Sequence, residues 1–199
     1  MPPDPPPTDA AVPAAGDAPA ARSQNLVDAG LDAMAEQIRL LARQRATGEL
    51  AALRRLDPER PDAGAFFRLL ARSVPEPLAS IELLSRWGLA AWAMAQMPEA
   101  LVRGSLGQAL AKGSSVMSEA RVNRLLATRG SGFRIQVRRM VRILAAVGAP
   151  LPYRQLGRLV LDEGRDERWA EVLRLSIARD YWRARRRDSN ATTAQGDEA

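Results

Sequence analysis

An all-α fold of about eight helices is what the sequence predicts, and three observations carry that prediction. Apolar residues recur three and four positions apart through most of the chain, the spacing that gathers them on one side of a helix. No segment alternates apolar and polar residues with period two, and no Asn-Gly or Asp-Gly pair marks a hairpin. Prolines and glycines stand at the ends of several periodic runs, at Pro58, Pro75, Gly130 and Gly148, where they stop helices. No repeat of 20–50 residues is present, so a solenoid is not expected.

Taken in order, Leu26, Val27, Leu31, Met34, Ile38 and Leu41 predict a helix over roughly 25–44. A short helix from Thr47 ends at Asp57-Pro58, because proline disfavours helical geometry in the residue before it. Pro61 suits the first turn of the next helix, which carries Phe66, Phe67, Leu69, Leu70 and Val74 and closes at Pro75 and Pro77. Residues 79–97 are apolar nearly all round and predict the central core helix. The glycine-punctuated stretch from Arg103 to Ser115 reads as a loop around a short helical turn. Ser118 is placed to N-cap a helix reaching Thr128. Gly130 and Gly132 then interrupt the chain before a helix over roughly 133–147 that buries Phe133, Val137, Met140, Val141 and Leu144. A short helix from Tyr153 to Leu161 follows, then a long one from Glu167 to about Arg186, with Trp169, Val172, Leu173, Ile177 and Tyr181 on its inner stripe. Trp87, Trp92 and Trp169 are expected in the core.

The domain is expected over 23–187. Residues 1–22 form a Pro/Ala-rich tail: the first twenty hold seven prolines and six alanines and no basic residue. Such a segment cannot bury enough apolar surface to offset its ordering entropy and is expected to be disordered. It lacks the basic and apolar regions of a signal peptide. Residues 188–199 read as a polar C-terminal tail. No apolar run is long enough for a membrane span.

Charge points to the partner. The chain carries +6, and residues 21–187 alone carry +12, with 29 basic and 17 acidic side chains. From Arg103 to Arg158 there are eleven basic residues against one acid, Glu119. A block so one-sided fits a polyanion. All but Lys112 are arginine, whose planar fork matches phosphate oxygens. A GC-rich genome would also favour arginine over lysine, but would not remove the acids. Within the helix over 133–147, Arg134, Arg138 and Arg142 are spaced four apart with Arg139 beside them, unrelieved by any acid. Like charges at that spacing destabilise a helix by roughly 0.2–0.5 kcal/mol per pair, so a polyanionic partner is expected to balance them.

There is no cysteine and no histidine. Disulfides, Cys/His zinc sites and thiol nucleophiles are excluded, and the commonest general base is missing. No P-loop, dinucleotide-binding glycine pattern or serine elbow occurs. Asp162, Glu163, Asp166 and Glu167 put four acids in six residues, but Arg165 and Arg168 are interleaved, and mixed-charge helix ends account for them better than a metal does. No catalytic residue, metal or cofactor is expected. The Gly104-Ser105-Leu106-Gly107 loop matches the Gly-x-x-Gly of KH domains, which need a sheet that this chain lacks.

An ordered series of blocks carries a family resemblance. Ala52-Leu53-Arg54-Arg55 and Phe66-Phe67-Arg68-Leu69-Leu70 come first. Ser105-Leu106-Gly107-Gln108-Ala109-Leu110-Ala111 follows, then Ser118-Glu119-Ala120-Arg121 with Leu125-Leu126, and Gln136-Val137-Arg138-Arg139-Met140. Pro152-Tyr153 and Ala178-Arg179-Asp180-Tyr181-Trp182 close the series. In order and spacing these blocks, over roughly 45–183, resemble the small subunits of type I-E CRISPR Cascade complexes, the CasB family. Gln108 stands where many members carry arginine, and the Pro/Ala-rich N-terminus has no counterpart. The resemblance implies a non-catalytic helical subunit of a cytoplasmic antiviral complex, without a membrane. Its partners would be the other Cascade subunits, the guide RNA, the target and displaced DNA strands, and a second copy stacked head to tail. Its basic surface would stabilise the R-loop through the nucleic-acid backbone, without reading sequence. By motif position the binding residues would be Arg54, Arg55, Arg121, Arg138 and Arg139. Lys112, Arg129, Arg134, Arg142, Arg165 and Arg168 join them on charge placement. The main alternative is a free-standing helical transcriptional regulator, which would read base edges with mixed polar side chains. A nearly all-arginine face is ill-suited to that.

Overall fold

The computed structural model describes residues 18–112 and 117–196, with side chains over 24–112 and 117–190. Among the described residues nine α-helices assemble the fold: α1 (Ala18–Arg43), α2 (Thr47–Arg55), α3 (Gly64–Ser73), α4 (Ile81–Gln96), α5 (Leu106–Ala111), α6 (Glu119–Ala127), α7 (Gly130–Ala146), α8 (Tyr153–Asp162) and α9 (Glu167–Gly196). The all-α class therefore holds. The helix beyond the expected eight is α5, formed by the stretch that reads as a turn within a loop. Ser105 starts it: its hydroxyl accepts from the Gln108 N–H at 3.4 Å and donates to Asp180 Oδ2 on α9 at 2.7 Å.

Two ends differ from the sequence reading. α1 begins at Ala18, ahead of Leu26, because Pro19 is tolerated in a first turn and the alanines beside it are the best helix formers. α9 continues past Arg187 to Gly196, since no proline or glycine interrupts that stretch. The rest of the tail expected over 1–22, residues 1–17, lies outside the described residues, as do residues 197–199. The only strand pairing among the described residues is a two-residue parallel ladder, β1 (Leu101–Val102) against β2 (Leu151–Pro152). Too short to show a period of two, it ties the chain after α4 to the chain before α8.

α4 is central as predicted: from Trp87 to Ala95 every residue is buried. Trp87 donates from Nε1 to the Leu78 carbonyl at 2.9 Å, which satisfies its one polar atom. α5 lies so close on α9 that a Cβ at Gly107 would drive into the Ile177 carbonyl and come within 2.7 Å of the Tyr181 nitrogen. Exposed in a helix, Gly→Ala gains about 1 kcal/mol. Here the obstacle is backbone, which cannot swing aside, so overpacking wins. Gly107→Ala is expected to lower stability by about 1–3 kcal/mol, read as a lower urea midpoint at unchanged slope.

α1 is stitched to α8 by ion pairs. Arg158 holds both oxygens of Asp28, at 2.6 Å for Nη2 to Oδ2. Arg154 holds both oxygens of Asp32, at 2.7 Å for Nε to Oδ1. The Tyr153 hydroxyl donates to Asp32 at 2.8 Å, and Arg103 adds a further donor at 2.8 Å. The Arg154 hydrogen bond, with help from Tyr153, holds the Asp32 carboxyl below its usual pKa against the opposing effect of burial. A depressed folded-state pKa gives stability that is present above the unfolded value, near 4, and is lost as pH falls through the folded one. The urea midpoint is therefore expected to drop on acidification below about pH 4. Asp32→Asn is expected to be weaker at pH 7 and flatter through that window.

Candidate nucleic-acid interface

The eleven basic residues between Arg103 and Arg158 do not form one face; tertiary contacts sort them. Arg103, Arg154 and Arg158 are committed to Asp28 and Asp32 on α1. Arg129 spans from α6 to α9: it donates to the Leu126 carbonyl at 2.6 Å and to Glu171 at 2.6 Å. Arg134 is paired with Glu59. Arg138 lies 4.0 Å from Asp57, with its guanidinium 5.6 Å from the centre of the Trp92 ring. Lys112, Arg121, Arg124, Arg139 and Arg142 remain, and none has a hydrogen-bond or ion-pair partner among the described residues.

Helical geometry explains the division. At about 100° per residue, Arg134 and Arg138 fall toward one border of the α7 inner stripe, Gln136 and Ile143 fall toward the other, and Arg139 and Arg142 stand on the outer face between them. The first border meets the connection between α2 and α3, where Asp57 and Glu59 sit. The second meets α6. The inner stripe of Phe133, Val137, Met140, Val141 and Leu144 is buried as expected.

Between α6 and α7 an open groove of about 360 Å³ is rimmed by Arg121, Arg124, Arg139 and Arg142. Its floor is apolar, made by Met117, Leu125, Met140 and Ile143, and among the described residues Gln136 is the one uncharged polar side chain lining it. No acid lines it. Arg124 is the member that charge-block reading did not single out; its position three residues after Arg121, on the same helix flank, is the signal that was available.

The other candidates scatter. Arg54 on α2 is exposed, yet its Nε donates to the Ala95 carbonyl at 2.8 Å, closing the C-terminus of α4. Arg55 beside it is exposed without a partner among the described residues. Lys112 stands near Gln108 and Arg183, away from the α6–α7 groove. Arg165 is held by the buried Asp162 at 2.7 Å. Arg168 is exposed without a partner among the described residues. Sequence reading passed over Arg86 on α4, which is half-buried against the turn at Gly164. Burial first, then Arg134 and Arg165 nearby, lowers its pKa.

The acid cluster is occupied structurally. Asp162 takes Arg165, and Glu163 takes Arg174 and the Gly130 N–H, the latter at 2.8 Å. Asp166 accepts from the Trp169 N–H and Glu167 from the Gly164 N–H. The Glu163 contact also explains why α7 starts at Gly130 rather than Phe133: a side chain from α8's end satisfies the first amide, and Gly130 supplies the positive φ of 59° that the entry needs. Among the described residues no three metal-ligating side chains cluster, and no helix is long and apolar enough to cross a membrane.

The α9 stripe departs from the reading. Trp169 is 39 % exposed, Val172 and Leu175 are also exposed, and the core side is Ala170, Arg174, Ile177 and Tyr181. A family model described as CRISPR-associated protein Cse2 matches residues 49–182, from within α2 to Trp182 on α9, with the whole groove inside the match. No curated protein matches the chain.

Proposed function

The chain belongs to the CRISPR-associated Cse2 family and is on that ground a subunit of the Cascade complex; from this premise we propose that it grips nucleic acid by its phosphates through the α6–α7 arginines and so stabilises the R-loop. One observation carries the reading. Four guanidinium groups converge on a single groove with no acid and no partner among the described residues, although the fold pairs six neighbouring arginines elsewhere. Cations left unpaired while acids are spent on other cations are disposed for an external anion.

R-loop formation is nearly balanced in energy, so a few phosphate contacts on the displaced strand or the guide–target hybrid can tip it. Arg55, Lys112 and Arg168, exposed elsewhere on the surface, would add separate phosphate contacts. Val172 and Leu175, exposed on α9, offer the apolar surface that a subunit contact covers, such as a second copy stacked head to tail. Family membership displaces the free-standing regulator, and the reading assigns the chain no reaction.

The test is a titration of the full-length chain with single strands of several unrelated sequences across a salt series. Affinity is expected to agree among sequences within a few-fold. Its logarithm should fall linearly with log salt, by about 0.7 per phosphate contacted. A preference of orders of magnitude for one sequence, or no salt dependence, would contradict the proposal.

A further inference from the structure

Phosphate contact alone would be served by a flat basic surface, yet the four unpaired arginines surround a concavity. The groove's volume of about 360 Å³ falls at the small end of the range of ligand pockets, about 300–1,000 Å³. Its floor combines two thioethers, Met117 and Met140, with Leu125 and the half-buried Ile143. Methionine sulfur makes favourable contacts with aromatic rings and adapts its shape to them. An apolar floor inside a cationic rim matches one ligand chemistry closely: a planar apolar ring carried between two phosphates.

We infer that the α6–α7 groove accepts one unstacked nucleobase of a single strand, with the flanking phosphates on its rim arginines. This deepens the phosphate-gripping proposal and rests on it. The arginines can stack on the base plane as well as fork to phosphate. Gln136 is placed to hydrogen-bond a base edge with either its amide or its carbonyl group, which tolerates any base. A strand captured base-in is held out of its duplex, which opposes reannealing of displaced DNA.

The test compares the full-length chain on two single strands of equal length and charge, one of thymidines and one with abasic sites. Stacked bases contribute about 1–3 kcal/mol each by deletion. The abasic strand should therefore bind roughly five- to a hundredfold more weakly, at the same salt slope. A single 2-aminopurine in the strand should brighten on binding as it leaves its stacked neighbours. Ile143→Gln, which makes the floor polar without altering charge, should abolish both differences. Gln136→Trp, which fills the groove from its rim, should do the same and covers the case of a poorly folded first variant.

Equal affinity for both strands would overturn the inference and leave phosphate gripping intact. Failure of both strands to bind would overturn both. If Gln136→Trp expels the chain from Cascade while the isolated variant still discriminates the abasic strand, the groove belongs to a partner's side chain and the inference falls.

Discussion

Arg174→Ala is expected to lower stability by about 3–5 kcal/mol, the usual cost of removing one member of a buried ion pair. Arg174 is 3 % exposed, in the middle of the inner face of α9. It donates to Glu163 and to Glu171 at 2.8 Å, lies 3.7 Å from Glu167, and sits 5.6 Å from the centre of the Phe133 ring. Burial, then the nearby Arg129, lowers its pKa to about 10, so it stays charged at neutral pH. Without it, the buried Glu163 carboxylate has no counter-charge, while its other oxygen holds the first amide of α7. The damage should therefore reach the helix that carries Arg139 and Arg142. A urea titration measures the loss. The double variant Arg174→Met with Glu163→Gln should recover most of it, because an apolar side chain and a neutral acceptor remove the orphaned charge while keeping the Gly130 contact. A loss below about 1 kcal/mol, the range of exposed pairs, would show that Arg174 is solvated.

Reversing Arg139 and Arg142 together to glutamate is expected to weaken single-strand binding by about two orders of magnitude or more. Each hydrogen bond to a charged group contributes about 1.5–3 kcal/mol, and each tenfold in affinity is about 1.4 kcal/mol. Reversal also adds repulsion where attraction stood. The salt slope should fall by about 1.4, which is two contacts at ~0.7 each on a single strand. Neither arginine has a partner among the described residues, so the urea midpoint should hardly move. A large loss of stability, or binding reduced less than threefold, would contradict the assignment of these two side chains to phosphate.

The helical class was legible because it rests on local spacing. The inner stripe of α7 and the all-round apolar α4 follow from residues three and four apart. α5 escaped because its six residues lie between Gly104 and the glycine at 113, and its packing needs Gly107 rather than tolerating it. The α9 stripe was misread for a physical reason. A charged residue, Arg174, occupies the core side, so the apolar pattern placed Trp169 and Val172 inward while the structure exposes them.

The site was legible in charge but not in residues. Which arginines are free depends on where acids arrive in space. Asp28 and Asp32 lie 130 and 122 residues from Arg158 and Arg154, and Glu59 lies 75 from Arg134. No local pattern reports such pairs. Arg121, Arg139 and Arg142 were within reach of sequence reading because α6 and α7 are consecutive and the segment between Arg121 and Arg142 contains no acid.

The most direct measurement is R-loop formation by Cascade assembled with the chain in which Arg121, Arg124, Arg139 and Arg142 are all glutamine. The comparison is a charge-matched chain with glutamine at Arg43, Arg60, Arg72 and Arg179, four exposed arginines outside the groove. The groove variant should assemble normally yet form R-loops at least tenfold less readily, with a reduced salt dependence, while the matched control behaves as the unaltered complex. Equal R-loop formation by the two variants would contradict the account and reduce the groove to surface charge.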